Sequence, residues 1–477
     1  MDAKATARTV HLSPQTTPGY VHVGGLTEES ASLTSKLLTR NHELYHTRWQ
    51  DTFHNHMAHH LTALWALGAT PSQIQDMWDY NEGYQGPLDK RPSGESTSDL
   101  NLKDPAVFQK CLGDDDCYVD FLRFFEDEIT EKGMQAVVKE YVFKGDERAD
   151  DILVRLFTDL VHPIIHLGCG IEFQQPSLIA EALAGACVHE NWPKSFLLQT
   201  DAYVSANKDH PSRSMLEVLE SLRTDPEIAG GVKETDPFNK IPDGFLKRVS
   251  ADQLAPHLGQ FQVQPDPEDL QRKMEDMMYT NAYVLAAAQR PGKKEAMDFV
   301  LLHSMTLAVF FPAVLAQDWL SNQDKARLLE ATVRVNAVMY AGCACPELYA
   351  ERVLNHVPRN PTDGWSELFQ RSIIYRDEGH AAKLIRALYS LERLGEPESQ
   401  FPIAKRDVFL IAHMAMDSIE RAMDDVEGNK VSEQVADGVM KRLGEAGRMV
   451  VGNITRWVFY GGLPGAWDKV PAIRIAE

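Results

Sequence analysis

The stretch ESASLTSKLLTRNHELYHTRWQDTFHNHMAHHLTALWALG, residues 29–68, carries the reading of the fold. Apolar and aromatic side chains recur in it at intervals of three and four, through Leu37, Leu44, Trp49, Phe53, Met57, Leu61, Leu64 and Leu67. That interval is the period of an amphipathic helix rather than of a strand, so the stretch is read as one helical region. Gly68 suits the position just past a helix end. Thr70 and Pro71 suit the cap and first turn of a following helix over Ser72 to Asn81.

The same period continues outward. Helices are expected over Cys117–Lys132, Met134–Phe143, Ala149–Val161, Pro176–Val188, Leu270–Gln289, Ala296–Trp319, Asn322–Tyr340, Asp377–Leu394, Lys405–Asp425 and Val431–Gly444. His162-Pro163 marks a boundary or a new first turn. Gly83–Pro105 and Gly230–Asp243 are rich in turn-forming residues and read as connections. Strand signals are confined to short runs such as Tyr20–Val23, and no period of 20–50 residues repeats. The expected fold is all-α, a single large helical domain or two helical lobes, with little or no sheet. Residues 1–25 are expected to form an N-terminal extension, 26–450 the main helical domain, and 451–477 a tail. The tail contains TRWVFYGGLPGAW and should pack on the body, because exposed it would be a large apolar patch.

Composition narrows the function classes. The chain has 477 residues, 44% of them hydrophobic, and a net charge of −21, which repels nucleic acid and anionic lipid. No stretch reaches the roughly 18 apolar residues of a membrane span. The longest apolar region, Phe299–Ala316, is broken by His303, Ser304, Thr306 and Pro312 and reads as a buried helix. The N-terminus shows no apolar secretory segment and the C-terminus no retention tail. The six cysteines are irregularly spaced, as in a reducing compartment, so a cytoplasmic protein is expected. Cys343-Ala344-Cys345 is read as two buried thiols, against a strained bridge or a soft-metal site.

Histidine is the informative residue. Of 17, six lie close together: His42, His46, His54, His56, His59 and His60. Residues three or four apart share a helical face, which pairs His42 with His46, His56 with His60, and His56 with His59. Imidazoles so placed can converge on one ion or substrate; solvated or core histidines are the bland alternative. His162 and His166 form another such pair among isoleucines, and nearby Gly168 and Gly170 would let backbone approach a ligand. His303 is a single polar ring in an apolar helix; taken alone it reads as a satisfied core histidine. In DEGHAAKLIRAL, residues 377–388, His380 and Lys383 share a face beside small Ala381 and Ala382. Burial disfavours a charged lysine. Neutral Lys383 could act as a base or take up carbon dioxide as a carbamate, an oxygen ligand for a metal. A surface ion pair with Asp377 or Glu378 is the bland alternative.

Other chemistries lack their motifs. There is no Gly-x-Gly-x-x-Gly after a strand, so no flavin or dinucleotide fold is indicated. Neither Gly-x-Ser-x-Gly nor a Walker loop occurs. A di-iron bundle needs two Glu-x-x-His motifs, and only Glu43-Leu44-Tyr45-His46 is present.

Five segments in order resemble the fungal questin oxidase-like family: FHNHMAHHLTALWALGATPSQIQDMWDYNEGYQ, LGDDDCYVDFLRFFEDEITEKG, HPIIHLGCGIEFQQPSLIAEALA, DFVLLHSMTLAVFFPAVL and DEGHAAKLIRAL. The resemblance runs over roughly residues 35–395. It implies an all-helical oxygenase of fungal secondary metabolism that oxidatively cleaves a ring of an anthraquinone-type polyketide. Members are regarded as Baeyer–Villiger-type oxygenases or as non-haem iron dioxygenases. The resemblance implies histidines plus a lysine, carbamylated in some members, as iron ligands. The matching positions here are His56 or His60, His166, His303, His380 and Lys383. One departure is Gln85-Gly86-Pro87 where Gln-Arg-Pro is expected; Lys90 or Arg91 would then meet a substrate phenolate instead.

Two mechanisms follow, because triplet oxygen reacts slowly with closed-shell molecules unless a metal, a flavin or the substrate supplies an electron. In one, Fe(II) is held by His60, His166, His303, His380 and Lys383. In the other, no cofactor is used: a histidine deprotonates an electron-rich hydroquinone, which itself reduces oxygen. Iron is the preferred reading. Trp65, Trp78, Tyr84 and Phe173 are candidates to stack on a flat tricyclic substrate in a sizeable apolar pocket. Expected partners are the polyketide and O2, with a separate NADPH-dependent quinone reductase supplying the hydroquinone. A non-catalytic anthraquinone-binding protein and a zinc-stabilised helical scaffold are the readings from other classes.

Overall fold

A computed structural model describes residues 4–49, 53–89, 100–207, 211–428 and 444–473. The expected all-α class holds: helices dominate, and the sheet among the described residues is one antiparallel pair of two-residue strands. The chain divides into two compact units, one formed by residues 1–194, 310–321 and 373–383, the other by 195–309, 322–372 and 384–477.

The first unit opens with α1 (Glu28–Leu44), whose start is fixed by Thr27 accepting from Ser30 N and by Glu28 and Glu29 in the first turn. The expectation of one helix across residues 29–68 is corrected here. The chain leaves α1 at Tyr45 in extended geometry and forms β1 (Arg48–Trp49) and β2 (Phe53–His54), paired Trp49 with Phe53. Thr47, Trp49 and Phe53 are β-branched or aromatic, the side chains that fit a pleated surface. Helix α2 (Met57–Ala66) then starts afresh, with Asn55 Oδ1 accepting from Met57 N. Helix α3 (Pro71–Glu82) follows a reciprocal capping box between Thr70 and Gln73.

Next come α4 (Pro105–Cys111), just past the expected connection Gly83–Pro105 and not anticipated from periodicity, and α5 (Tyr118–Lys132). After them run α6 (Met134–Val138), α7 (Glu147–Arg155), α8 (Thr158–Glu172) and α9 (Pro176–Val188). Between α7 and the regular part of α8 the chain takes left-handed geometry at Asp159, Leu160 and Val161, with φ of 49°, 53° and 60°. Such geometry costs roughly 1–2 kcal/mol per non-glycine residue. Helices α5, α8 and α9 pack together as the core of the unit. Gly168 and Gly170 serve that packing rather than a ligand: a Cβ on Gly170 would stand 2.7 Å from Ile179 Cγ1, and one on Gly168 2.7 Å from Phe310 Cβ.

The second unit is built on Pro267–Ala287, Phe299–Ala308 and Asn322–Gly342. The apolar region expected as one helix over Ala296–Trp319 breaks after Ala308. A new turn, Phe311–Leu315, begins with Pro312, which lacks the N–H needed to continue the first helix. Helices Lys194–Ala206, Met215–Thr224, Ala251–Leu258 and Trp365–Ile374 were not anticipated from periodicity. Most of the expected helix Val431–Gly444 lies outside the described residues. Of the aromatic tail, Val458, Trp467 and Val470 are buried with Ala296. All six cysteines are free and buried, so Cys343 and Cys345 form no bridge.

Candidate active site

Imidazoles from separate segments of the first unit gather in one buried cluster. Asn55 ties the entry to α2 by donating to Asn41 Oδ1 and His46 O, which fixes His56 before the helix and His59 and His60 on its first turn. The left-handed turn delivers His162, whose Nδ1–H donates to Asp159 O at 2.6 Å. Helix α8 adds His166 one turn later. The fourth segment is Asp377-Glu378-Gly379-His380. Asp377 accepts from Gly379 N and Ala381 N and so caps the helix His380–Ser390, while Asn81 Nδ2 holds the Asp377 carbonyl. Gly379 is required there. Its φ is +94°, and a Cβ would overlap the His60 ring.

His56 is the hub. Its ring lies 4.8 Å from that of His162, 4.9 Å from that of His380 and 5.0 Å from that of His59. His56 Nδ1 faces Glu378 O at 3.2 Å and Lys383 Nζ at 3.3 Å, while Nε2 faces His162 Nε2 at 2.8 Å. With Nδ1–H of each ring assigned to a carbonyl, both Nε2 atoms present lone pairs to each other. Two lone pairs at that distance need a proton or a cation between them. His59 Nδ1 is buried without a hydrogen-bond partner, and an orphaned acceptor of this kind calls for an explanation.

The electrostatics favour neutral bases. Burial drives His56 and His59 well below the ordinary histidine range, reinforced by the charge on Lys383. Burial likewise lowers His60 to about 3. Lys383 is pulled down to about 8 by burial, partly opposed by Glu378 and Asp377. The bland alternative for Lys383, a surface ion pair, gives way to a buried amine against an imidazole.

A chain of carboxylates and imidazoles supports His166 from behind. His166 Nε2 is 2.7 Å from Glu181 Oε2, and Glu181 Oε1 is 2.7 Å from His42 Nδ1. His42 Nε2 lies 3.0 Å from Glu126 Oε1, and Arg8 Nε donates to Glu126 Oε2 at 2.6 Å. Burial opposes charge on His42, yet the hydrogen bonds to Glu126 and Glu181 outweigh it and lift its pKa to about 9. Burial would raise Glu181, but His166 and His42 hold it down at about 2. Sequence spacing paired His42 with His46; instead His42 serves this relay, and the His46 ring packs on Tyr118 at 3.8 Å.

Of the residues singled out from sequence, His56, His60, His166, His380 and Lys383 belong to the first unit and its buried cluster. His303 lies on Phe299–Ala308 of the second unit, where its Nδ1–H donates to Phe299 O at 2.6 Å and its ring meets Phe299 edge-on. His59 and His162, both in the cluster, were seen in the sequence but not chosen, because spacing does not reveal where a ring points. The proposed stacking residues need correction. Trp65 and Phe173 are fully buried against each other, and Trp78 is buried with its Nε1 on Glu82, so none presents a face to a ligand. Tyr84 is half-buried; it donates to Asn81 Oδ1 and rests on Trp49, which stacks on Phe53 at 4.5 Å. Lys90 and Arg91 lie outside the described residues. The second unit contains a cavity of about 710 Å³ whose lining includes Glu217, Asp276, Tyr279, Tyr340 and Glu398. It is acidic and lined by no histidine, unlike the apolar pocket expected.

A family profile described as questin oxidase-like matches residues 53–388, the span from β2 to the helix carrying Lys383. The chain is 42% identical to "Oxidoreductase AflY" of Aspergillus parasiticus, over 99% of this chain and 95% of that protein. It is 32% identical to "Baeyer-Villiger oxidase ptaJ" of Pestalotiopsis fici, over 99% of this chain and all of that one. It is also 32% identical to a "Questin oxidase" of Aspergillus terreus, over 87% and 93% of the two chains.

Proposed function

The chain belongs to the questin oxidase-like family, and from that premise we propose that it is an O2-dependent oxygenase that opens a ring of an anthraquinone-type polyketide. It is an oxidoreductase, with an aromatic polyketide and O2 as substrates. The observation that carries the reading is the buried cluster of neutral imidazoles around Lys383. It is a dry, basic site in which a phenol can lose a proton and a developing oxyanion can be stabilised.

The cluster fits a borderline divalent metal. The facing Nε2 atoms of His56 and His162, the unsatisfied His59 Nδ1 and the Nδ1 of His166 are imidazole nitrogen donors. They are the type that binds iron. Fe(II) held there would supply the electrons that activate O2. Lys383, deprotonated more readily because it is buried, would offer an oxygen ligand after taking up CO2 as a carbamate. Glu181 holds His166 by Nε2, leaving Nδ1 for the site and fixing the ring orientation. A reductase that delivers the reduced, electron-rich substrate is the partner this chemistry requires.

Oxygen uptake in air with a reduced anthraquinone, together with the product mass, tests the reaction. Incorporation of oxygen with ring opening is expected; tight binding without uptake would leave a carrier protein. Full turnover by chelator-stripped protein with no iron detected would overturn the metal and favour histidine base catalysis alone. With ¹³C-bicarbonate, a carbamate resonance should appear in the wild type and vanish in Lys383→Met.

A further inference from the structure

A second constellation in the first unit is not used by the site above. His54 at the end of β2, Asp159 in the left-handed turn and His189 just past α9 converge although they are far apart in sequence. His54 Nε2 lies 2.7 Å from Asp159 Oδ2 and 3.1 Å from His189 Nε2, and His189 Nε2 lies 3.6 Å from Asp159 Oδ2. Ligand bonds of 2.0–2.1 Å in tetrahedral geometry place donor atoms roughly 3.3 Å apart, and the three separations bracket that value.

The surroundings orient these donors. His189 Nδ1–H donates to Gly185 O at 2.5 Å, which leaves Nε2 as the lone-pair nitrogen turned toward the other two. Arg155 also donates to the His189 carbonyl, fixing the residue from both sides. The His54 ring is stacked on His162 at 4.2 Å with the planes 5° apart. His54 and His189 side chains are 7% and 2% exposed, while Asp159 is 29% exposed, so an ion has an entrance on the carboxylate side. Asp159 reaches this point only through the three-residue left-handed turn, a conformation that persists where the surroundings hold it in place. Arg48 competes for the same oxygen, with Nε 3.9 Å from Asp159 Oδ2.

We propose that His54, Asp159 and His189 form a second metal site, separate from the Lys383 cluster, for a borderline divalent ion such as zinc. Two imidazole nitrogens and one carboxylate oxygen suit that class of ion and leave a coordination position open to solvent. The ion bridges the β-hairpin, the strained turn and the end of α9, and so pins three segments that otherwise meet through polar contacts.

Cobalt(II) serves as the probe, because its visible absorption reports tetrahedral nitrogen–oxygen ligation independently of turnover. Full-length protein is stripped with chelator, dialysed and titrated, with metal-to-protein ratio and spectrum as readouts. Lys383→Met should keep the tetrahedral equivalent; His189→Gln and Asp159→Asn should lose it while retaining wild-type circular dichroism. Arg48→Gln should tighten it by roughly three-fold, the size of an exposed charge-pair effect. A tetrahedral equivalent that survives in folded His189→Gln and Asp159→Asn would overturn the proposal, as would its absence from the wild type. Cobalt bound in His189→Gln but lost in Lys383→Met would leave the Lys383 site standing; the converse would leave this one standing.

Discussion

Single residues decide whether the cluster can assemble. Gly379 combines a left-handed φ with direct contact on the His60 ring. Gly379→Ala should therefore cost about 2–4 kcal/mol, from backbone strain and overpacking together, and activity should fall at temperatures where the fold persists. Chemical denaturation and oxygen uptake measured on the same preparation check this; an alanine variant with unchanged stability would mean that the segment is not held so closely. His42 provides a pH signature. Its pKa in the folded protein is lifted to about 9 between Glu126 and Glu181, above the ordinary 6.5. The stability it contributes is fully present below pH 6.5 and is lost as pH rises through 9. The difference is on the order of 3 kcal/mol at most. Thermal unfolding from pH 6.5 to 9.5 should show a declining midpoint, and the decline should flatten in His42→Gln.

At the scale of elements, the site depends on where helices stop. Residues 29–68 yield not one helix but α1, a hairpin and α2, and the interruption turns His54 and His56 away from the faces that helical spacing would assign them. Residues 155–162 do the same for His162, through three left-handed residues. In the second unit, the aromatic segment after Arg456 is held by Trp467, which is buried with Val458 and Val470 and whose Nε1 donates to Gly461 O at 2.7 Å. Trp467→Ala should destabilise by about 3–5 kcal/mol. Denaturant unfolding checks the value, and a change below about 1 kcal/mol would show that the segment does not share the core.

At the scale of the whole molecule, metal binding and stability are linked. Neutral imidazoles and a readily deprotonated lysine are packed in the folded state and dispersed in the unfolded one, so an ion bound to the cluster stabilises folding by mass action. At a free Fe(II) concentration 100 times Kd the gain is about 2.7 kcal/mol. Anaerobic addition of Fe(II) should raise the melting temperature of the wild type by clearly more than that of Lys383→Met, which keeps only the second site; equal shifts in both would place the binding elsewhere than the Lys383 cluster. Among the described residues no single helix is long and apolar enough to cross a membrane, in keeping with the interrupted apolar runs of the sequence.

Sequence by itself determined the all-α class and the bounds of elements opened by proline such as Pro176–Val188, together with the residue types of the site. Those follow from local rules: a 3.6-residue period, caps and turn formers act within a few positions of one another. Ring direction was decided only in three dimensions. His59 and His162 entered the cluster, and Trp65, Trp78 and Phe173 became core. The His54–Asp159–His189 group was invisible in the sequence because its members are 105 and 135 positions away from His54. The physical reason is that a donor's usefulness depends on the direction of its lone pair and on which residues bury it. Both are set by a left-handed turn and a hairpin that cost local energy and are stabilised only by distant packing.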